Sequence, residues 1–158
     1  MASSRYLKPS RLATVLNRSL EGLAHLGISL YGSRILAVRG RNSGEWRTTP
    51  VNVLEHEGVS YLVAPRGETH WVKNLRVSGA GELRLGRRRE AFRAKELAHE
   101  EKAPILRAYL SRWGFEVRAF FQGLGATASD DELRRIAPDY PVFRIESAED
   151  IHTEMTPR

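Results

Sequence analysis

Cysteine is absent from the chain, which excludes a disulfide framework, an iron–sulfur cluster and a thiol nucleophile. Missing too are a GxSxG elbow, a Walker loop and an HExxH pair. The histidines His25, His56, His70, His99 and His152 are too scattered for a recognisable zinc pattern. Hydrolase and metalloenzyme readings therefore find no support. Near the N-terminus, Arg11 and Arg18 interrupt the chain before a long apolar stretch can form, so neither a signal peptide nor a spanning helix is expected. Cytoplasm is the expected compartment. Lysine is scarce as well: among 25 basic residues only Lys8, Lys73, Lys95 and Lys102 are lysine. The net charge of +6 invites a nucleic-acid reading, but an excess of arginine alongside Ala, Gly and Leu can follow base composition. What survives is narrower: arginine is plentiful, and its fork suits phosphate and carboxylate.

What is present fits one globular domain. At 158 residues with 41% hydrophobic content and a mean hydropathy of −0.42, the chain can bury about two thirds of its unfolded surface without a metal or disulfide staple. Leu12, Val15, Leu16, Leu20, Leu23 and Leu26 recur at helical spacing and predict an amphipathic helix over 10–26, started by Pro9 and Ser10 and stopped by Gly27. Packing on a sheet is the expected role of that helix, and a peripheral membrane contact stays open.

After Gly32 the period changes to that of strands: Ile35 to Arg39, Trp46 to His56 and Val59 to Ala64. A short helix over Thr69 to Ser78, ended by Gly79, is followed by strands over Glu82 to Leu85 and Glu90 to Leu97, joined by the turn Gly86, Arg87, Arg88. His99 to Trp113 reads as a helix with Pro104 near its first turn, broken by Gly114 before Glu116 to Gln122. Asp130 to Ala137 is a capped short helix and Val142 to Ile145 the last strand, with a frayed tail after Ala148. Strands in hairpin order with helices set aside predict an α+β fold, and closing the sheet into a barrel removes its edges.

Two segments carry the chemistry. In Gly40 to Val53, Arg41, Asn42, Ser43, Gly44, Arg47, Thr48 and Thr49 gather at a hairpin. Two arginines, a hydroxyl and a glycine-bearing turn with free backbone N–H groups can converge on a phosphate. The spacing alone fits a solvated hairpin equally well. Pro50 inside the strand predicts an edge or bulge. In Ala64 to Leu75 a strand ends in Ala64, Pro65, Arg66 and Gly67, whose exposed backbone can approach a planar ring, and a helix opens whose N-terminus favours anions. Trp71 and Asn74, three apart, can look toward one neighbour. The aromatics Tyr109, Trp113, Phe120, Phe121 and Tyr140 are candidates for a substrate pocket or for core packing.

Taken together and in order, these segments resemble the deazaflavin-dependent nitroreductase family, known for a G-R-x-S-G-x-x-R-T-x-P hairpin followed by a W-x-x-N-L helix. The resemblance covers the leading helix, Arg34 to Leu97 and the closing Tyr140 to Ile145 segment. It implies a split β-barrel of about six mostly antiparallel strands related to FMN-binding barrels: a leading helix over 10–26, a barrel core over 33–97, a helical cover over 99–137 and a closing strand over 141–147. It also implies a reductase that passes a hydride from reduced coenzyme F420 to a small electron-poor acceptor, namely a quinone, enone or nitro compound. By carry-over, Arg41, Asn42, Ser43 and Arg47 would bind the phosphate region, with Trp71 and Asn74 close to the cofactor and the backbone of Ala64, Pro65, Arg66 and Gly67 facing the deazaflavin; Gly44, Thr48, Thr49 and Pro50 complete the cofactor-binding set. Tyr109, Trp113 and Tyr140 would line the substrate pocket. No metal and no nucleic acid are expected. FMN in place of F420, a non-catalytic cofactor- or nucleic-acid-binding barrel, and monomer against homodimer are the alternatives left open.

Overall fold

The computed structural model describes residues 33–148. The predicted leading helix and the tail after Ala148 lie outside them. Six strands form the core: β1 (Ser33–Arg39), β2 (Trp46–His56), β3 (Val59–Val63), β4 (Ala80–Leu85), β5 (Arg88–Glu96) and β6 (Val142–Ser147). Every neighbouring pair is antiparallel, and the order β1-β2-β3-β6-β5-β4 closes on itself through β4 and β1. This is the six-stranded antiparallel barrel that hairpin order predicts. The helices α1 (His70–Ser78), α2 (Ala103–Val117) and α3 (Asp130–Ile136) stand apart from the ladder, as expected for an α+β domain. Among the described residues no helix is long and apolar enough to cross a membrane.

Strand alternation sorts the core into two layers. Leu36, Val38, Leu62, Phe92, Phe143 and Ile145 point inward, and Val72 and Leu75 of α1 join them at one end of the barrel. Leu54, Val63 and Val142 point outward from β2, β3 and β6, where α2 and α3 cover them with Leu106, Leu110, Trp113, Leu133 and Ile136. β2 changes neighbours along its length: residues 46–52 pair with β1, residues 53–56 with β3. Pro50 therefore lies where the described strands flank β2 on one side only, so its missing N–H breaks no second ladder. That is the edge-like position its sequence predicts.

Several boundaries differ from the sequence reading, each for a local reason. Arg88 belongs to β5, because the β4–β5 connection needs only Gly86 (φ 59°) and Arg87, a two-residue hairpin with glycine in the left-handed region. His99–Glu101 is a separate 3₁₀ turn, and α2 starts at Ala103. Starting the α-helix at His99 would place Pro104 beyond the first turn, where its absent N–H is required. Gly114 does not break α2, which continues to Val117. Leu110, Trp113 and Val117 are all buried on the same cluster, and that burial outweighs the ~1 kcal/mol that glycine costs inside a helix. α3 is capped as expected: Ser129 Oγ accepts from Glu132 N at 3.2 Å, and Ser129 N donates to Glu132 Oε2 at 2.8 Å.

Lys102, at the start of α2, is 1% exposed and donates from Nζ to the Ala137 carbonyl at 3.0 Å. Burial pushes its ammonium below the usual lysine range. The folded chain therefore holds this proton less tightly than the unfolded chain, and this residue adds to stability as pH rises toward the unfolded lysine value. Lys102→Met keeps the volume and removes the charge, so it is expected to match or exceed wild-type stability at pH 7. It should also flatten the rise as pH approaches the ordinary lysine range from below, and urea unfolding from neutral to alkaline pH checks both expectations.

Candidate functional site

The β1–β2 hairpin is built from the inside of its own loop. Gly40 N donates to Glu45 O and Gly44 N to Gly40 O, both at 2.8 Å, and Gly44 takes φ 71°. Ser43 Oγ accepts from Glu45 N at 3.2 Å, and Arg39 Nη1 donates to Gly44 O at 3.2 Å. The N–H groups of Gly40, Gly44 and Glu45 are thus used within the turn and are not the free donors the sequence leads one to expect. A six-residue connection between strands must satisfy its own backbone before it can offer donors to a ligand. Arg41, Asn42, Ser43, Arg47 and Thr48 are exposed, while Thr49 and Pro50 are half-buried in β2. Arg47 is 62% exposed and lies 3.7 Å from a more exposed Glu45, a pair too open to hold either partner firmly.

The second segment meets the first through one side chain. Asn74 is 4% exposed on the inner face of α1, and its Oδ1 accepts from Arg41 N at 3.1 Å and from Arg41 Nη1 at 2.8 Å. A single carboxamide oxygen so ties the hairpin to the helix, and orients the Arg41 guanidinium as it does so. Trp71, one turn earlier, packs its ring 5.9 Å from Phe143 against the inner cluster. The two helical positions three apart meet different neighbours, Asn74 the hairpin and Trp71 the barrel, rather than the single one their spacing allows.

Between them runs the loop after β3. Ala64 is fully buried and its N donates to Pro141 O at 2.9 Å. Gly67 N returns to Ala64 O at 3.1 Å and Thr69 N to Gly67 O at 2.8 Å, with Gly67 at φ 81°, a conformation that suits glycine. Pro65 and Arg66 stand half-exposed at its tip. Thr69 takes the N-cap position of α1, yet its hydroxyl makes no capping bond. Its Oγ1 is the one buried side-chain polar atom among the described residues that lacks a partner. Such an atom costs stability unless something else satisfies it. The sequence marks Thr69 as a helix start but carries no sign that its cap bond is unmade.

The three aromatics expected at a substrate pocket are placed elsewhere. Tyr109, Trp113 and Tyr140 are 2%, 0% and 1% exposed within the cluster under α2 and α3. Tyr109 sits 5.0 Å from Trp113, and Phe121 stacks on Tyr140 at 4.2 Å. Core packing is the role this geometry gives them. Burial also pushes the Tyr109 phenol well above its usual pKa, ahead of the effect of Glu116 and against a smaller one from a hydrogen bond with Asn52. It stays protonated through the neutral range and is sealed from solvent.

A model of the F420H(2)-dependent quinone reductase family matches residues 9–119. No curated protein matches the chain. Among solved structures, the Agrobacterium tumefaciens protein Atu2129, of unknown function, aligns with TM-score 0.51 at 15% identity, over 84% of this chain and 57% of its own. This chain thus spans little more than half of that protein. A structure described as a domain-swapped dimer aligns with TM-score 0.54 at 18% identity, over 82% and 92%. The F420-H2 dependent reductase FDR-A aligns with TM-score 0.49 at 20% identity, over 73% and 94%. At identities this low the likeness to the first two is one of fold.

Proposed function

Because the chain belongs to the F420H(2)-dependent quinone reductase family, we propose that it transfers a hydride from reduced coenzyme F420 to a small electron-poor acceptor. Quinones, enones and nitro compounds are the acceptor class. The observation that carries this reading is the Asn74–Arg41 tie, which joins the basic hairpin and the tryptophan helix into one surface. Arg41, Asn42, Ser43 and Arg47 would grip the phosphate region, with Gly44, Thr48, Thr49 and Pro50 shaping the hairpin around it. Backbone at Ala64, Pro65, Arg66 and Gly67 would face the deazaflavin, with Trp71 close to the cofactor.

The residues present fit such a group. Exposed side chains on the hairpin include the Arg47 guanidinium and that of Arg41, which Asn74 orients, a donor set that suits a phosphate. The start of α1 carries no side-chain cap, which leaves its first-turn N–H groups suited to an anion. When bound, the cofactor supplies the hydride; the protein's part is orientation and exclusion of water. Asn74 acts through Arg41, fixing the guanidinium that would meet the phosphate. Tyr109 is unsuited to give a proton, and solvent would supply it to the product.

Arg47→Ala tests the assignment. One charge-assisted hydrogen bond lost to the cofactor predicts affinity lower by roughly tenfold. Thermal stability should stay within about 0.5 kcal/mol of wild type, since the side chain is mostly in water. Fluorescence titration of both proteins with the deazaflavin coenzyme reads the difference. Unchanged affinity counts against this placement, and a wild-type protein that ignores the deazaflavin, or that purifies with FMN, overturns the reading.

A further inference from the structure

Glu68 lies between Gly67 and the start of α1, so it is the residue through which the loop over 64–67 enters the helix. Both its carboxylate oxygens are taken by Arg76 in the last turn of α1. Arg76 Nη2 donates to Glu68 Oε1 at 2.8 Å, and Nη1 donates to Glu68 Oε2. The other edge of the guanidinium faces Glu96, the last residue of β5, with Nε donating at 2.7 Å and Nη2 at 2.6 Å. One planar group thus holds a loop and a barrel strand in fork-to-fork geometry, which fixes direction as well as distance. Glu68 and Glu96 are 21% and 32% exposed, far more sheltered than Glu45 beside Arg47 at 75%. This pair of contacts is accordingly less screened than an ordinary surface ion pair.

We propose that Arg76 is a positioning residue, clamping Glu68 to Glu96 so that the loop from Ala64 to Gly67 is held ready for the cofactor. The inference rests on the proposed function. The loop is also tied by Ala64 N to Pro141 O, by Gly67 N to Ala64 O and by Thr69 N to Gly67 O, bonds that lie along its own backbone or at its entry. Glu68 adds a side-chain anchor, through Arg76, from the exit of the loop to the barrel wall. With the clamp cut, the loop samples other arrangements, and the cofactor binds only the competent fraction. Apparent affinity falls by that fraction. A cofactor that has bound restores the loop, so the turnover rate at saturation is kept.

The test compares wild type with Glu68→Gln, Arg76→Met, Glu96→Gln and Arg76→Lys. Binding is read by fluorescence titration with oxidised coenzyme F420, turnover with the reduced coenzyme and a quinone, and loop order by amide hydrogen exchange at Gly67 and Thr69 without cofactor. Glu68→Gln and Arg76→Met are expected to raise Kd and the coenzyme KM about tenfold, with kcat within about twofold and faster exchange at both amides. The double variant should equal either single one, because both remove the same clamp. Glu96→Gln leaves the Arg76–Glu68 contact and is expected to raise Kd by less than about threefold, and Arg76→Lys to fall between. Faster exchange with Kd unchanged would overturn the proposal, leaving Arg76 a tie for stability only. Wild-type protein that fails to bind the coenzyme overturns the proposed function, and the positioning role with it.

Discussion

Gly81→Ala is expected to destabilise the protein by about 3 kcal/mol and to lower its melting temperature by roughly 6–12 °C. A methyl group at this position would stand 2.8 Å from the Ala37 carbonyl oxygen and 2.9 Å from Cζ of Phe92. The ring can swing aside, but the carbonyl belongs to β1 and cannot. Gly81 pairs with Phe92 across β4 and β5, and the next residue, Glu82, pairs with Ala37 across the β4–β1 seam. The barrel closes at that seam. Any added volume therefore separates β4 from β1 or displaces Phe92 from the inner cluster, and either change loosens the strand that leads into Gly40 and the hairpin. Loss of cofactor affinity is expected together with the loss of stability. Thermal unfolding of the two proteins checks the first part, and an alanine variant that melts within about 2 °C of wild type would show that the seam yields easily. Gly114→Ala is the internal control. Nothing lies within 4 Å of a methyl group there, and in mid-helix alanine should be neutral or slightly stabilising.

The contrast between these two glycines shows what the sequence could and could not disclose. Both look like breaks in a pattern, and sequence reading ended a helix at Gly114. Whether a glycine is a gap or a close approach depends on the backbone that faces it, which for Gly81 lies across a seam formed with residues more than forty positions away. Local signals were legible. β2 spans Trp46–His56 as its sequence predicts, and the acidic first turn from Asp130 announces α3. Pro50 marks a stretch of one-sided pairing. Tyr109, Trp113 and Tyr140 were ambiguous for a physical reason: an amphipathic aromatic serves a core and a pocket by the same chemistry, and only burial decides. The Glu68–Arg76–Glu96 clamp was out of reach, because a loop, a helix and a strand must first be assembled before their charges meet.

Asn74→Leu is expected to lower cofactor affinity by roughly 30- to 100-fold while costing about 1–2 kcal/mol of stability, a larger functional effect than removing Arg47. Leucine keeps the branching of asparagine at Cγ, and its bulkier methyl groups sit beside Val72 and Leu75, which are already 0% and 1% exposed. The added volume is part of the stability cost. What disappears is the oxygen that accepts from Arg41 N and Arg41 Nη1. These two bonds, one of them to a charged donor, are together worth about 2–3 kcal/mol in holding the hairpin against α1. With that tie gone the hairpin keeps its internal bonds, from Gly40 to Glu45 and from Gly44 to Gly40, so it survives as a hairpin but not in one place. The competent arrangement drops to a few per cent of molecules, and apparent affinity drops with it. Since Arg41 is exposed, water can take up its freed N–H groups, which is why stability suffers less than binding. Asn74→Asp supplies the discriminating comparison: it keeps an acceptor at the same place, adds a charge that suits the guanidinium, and should retain affinity within a few-fold. Adding Arg41→Ala to Asn74→Leu should cost little more than Asn74→Leu alone, because the guanidinium is already adrift. Full affinity in Asn74→Leu alongside a lowered melting temperature would mean that hairpin and helix need no tie, and that the two motifs act on the cofactor separately.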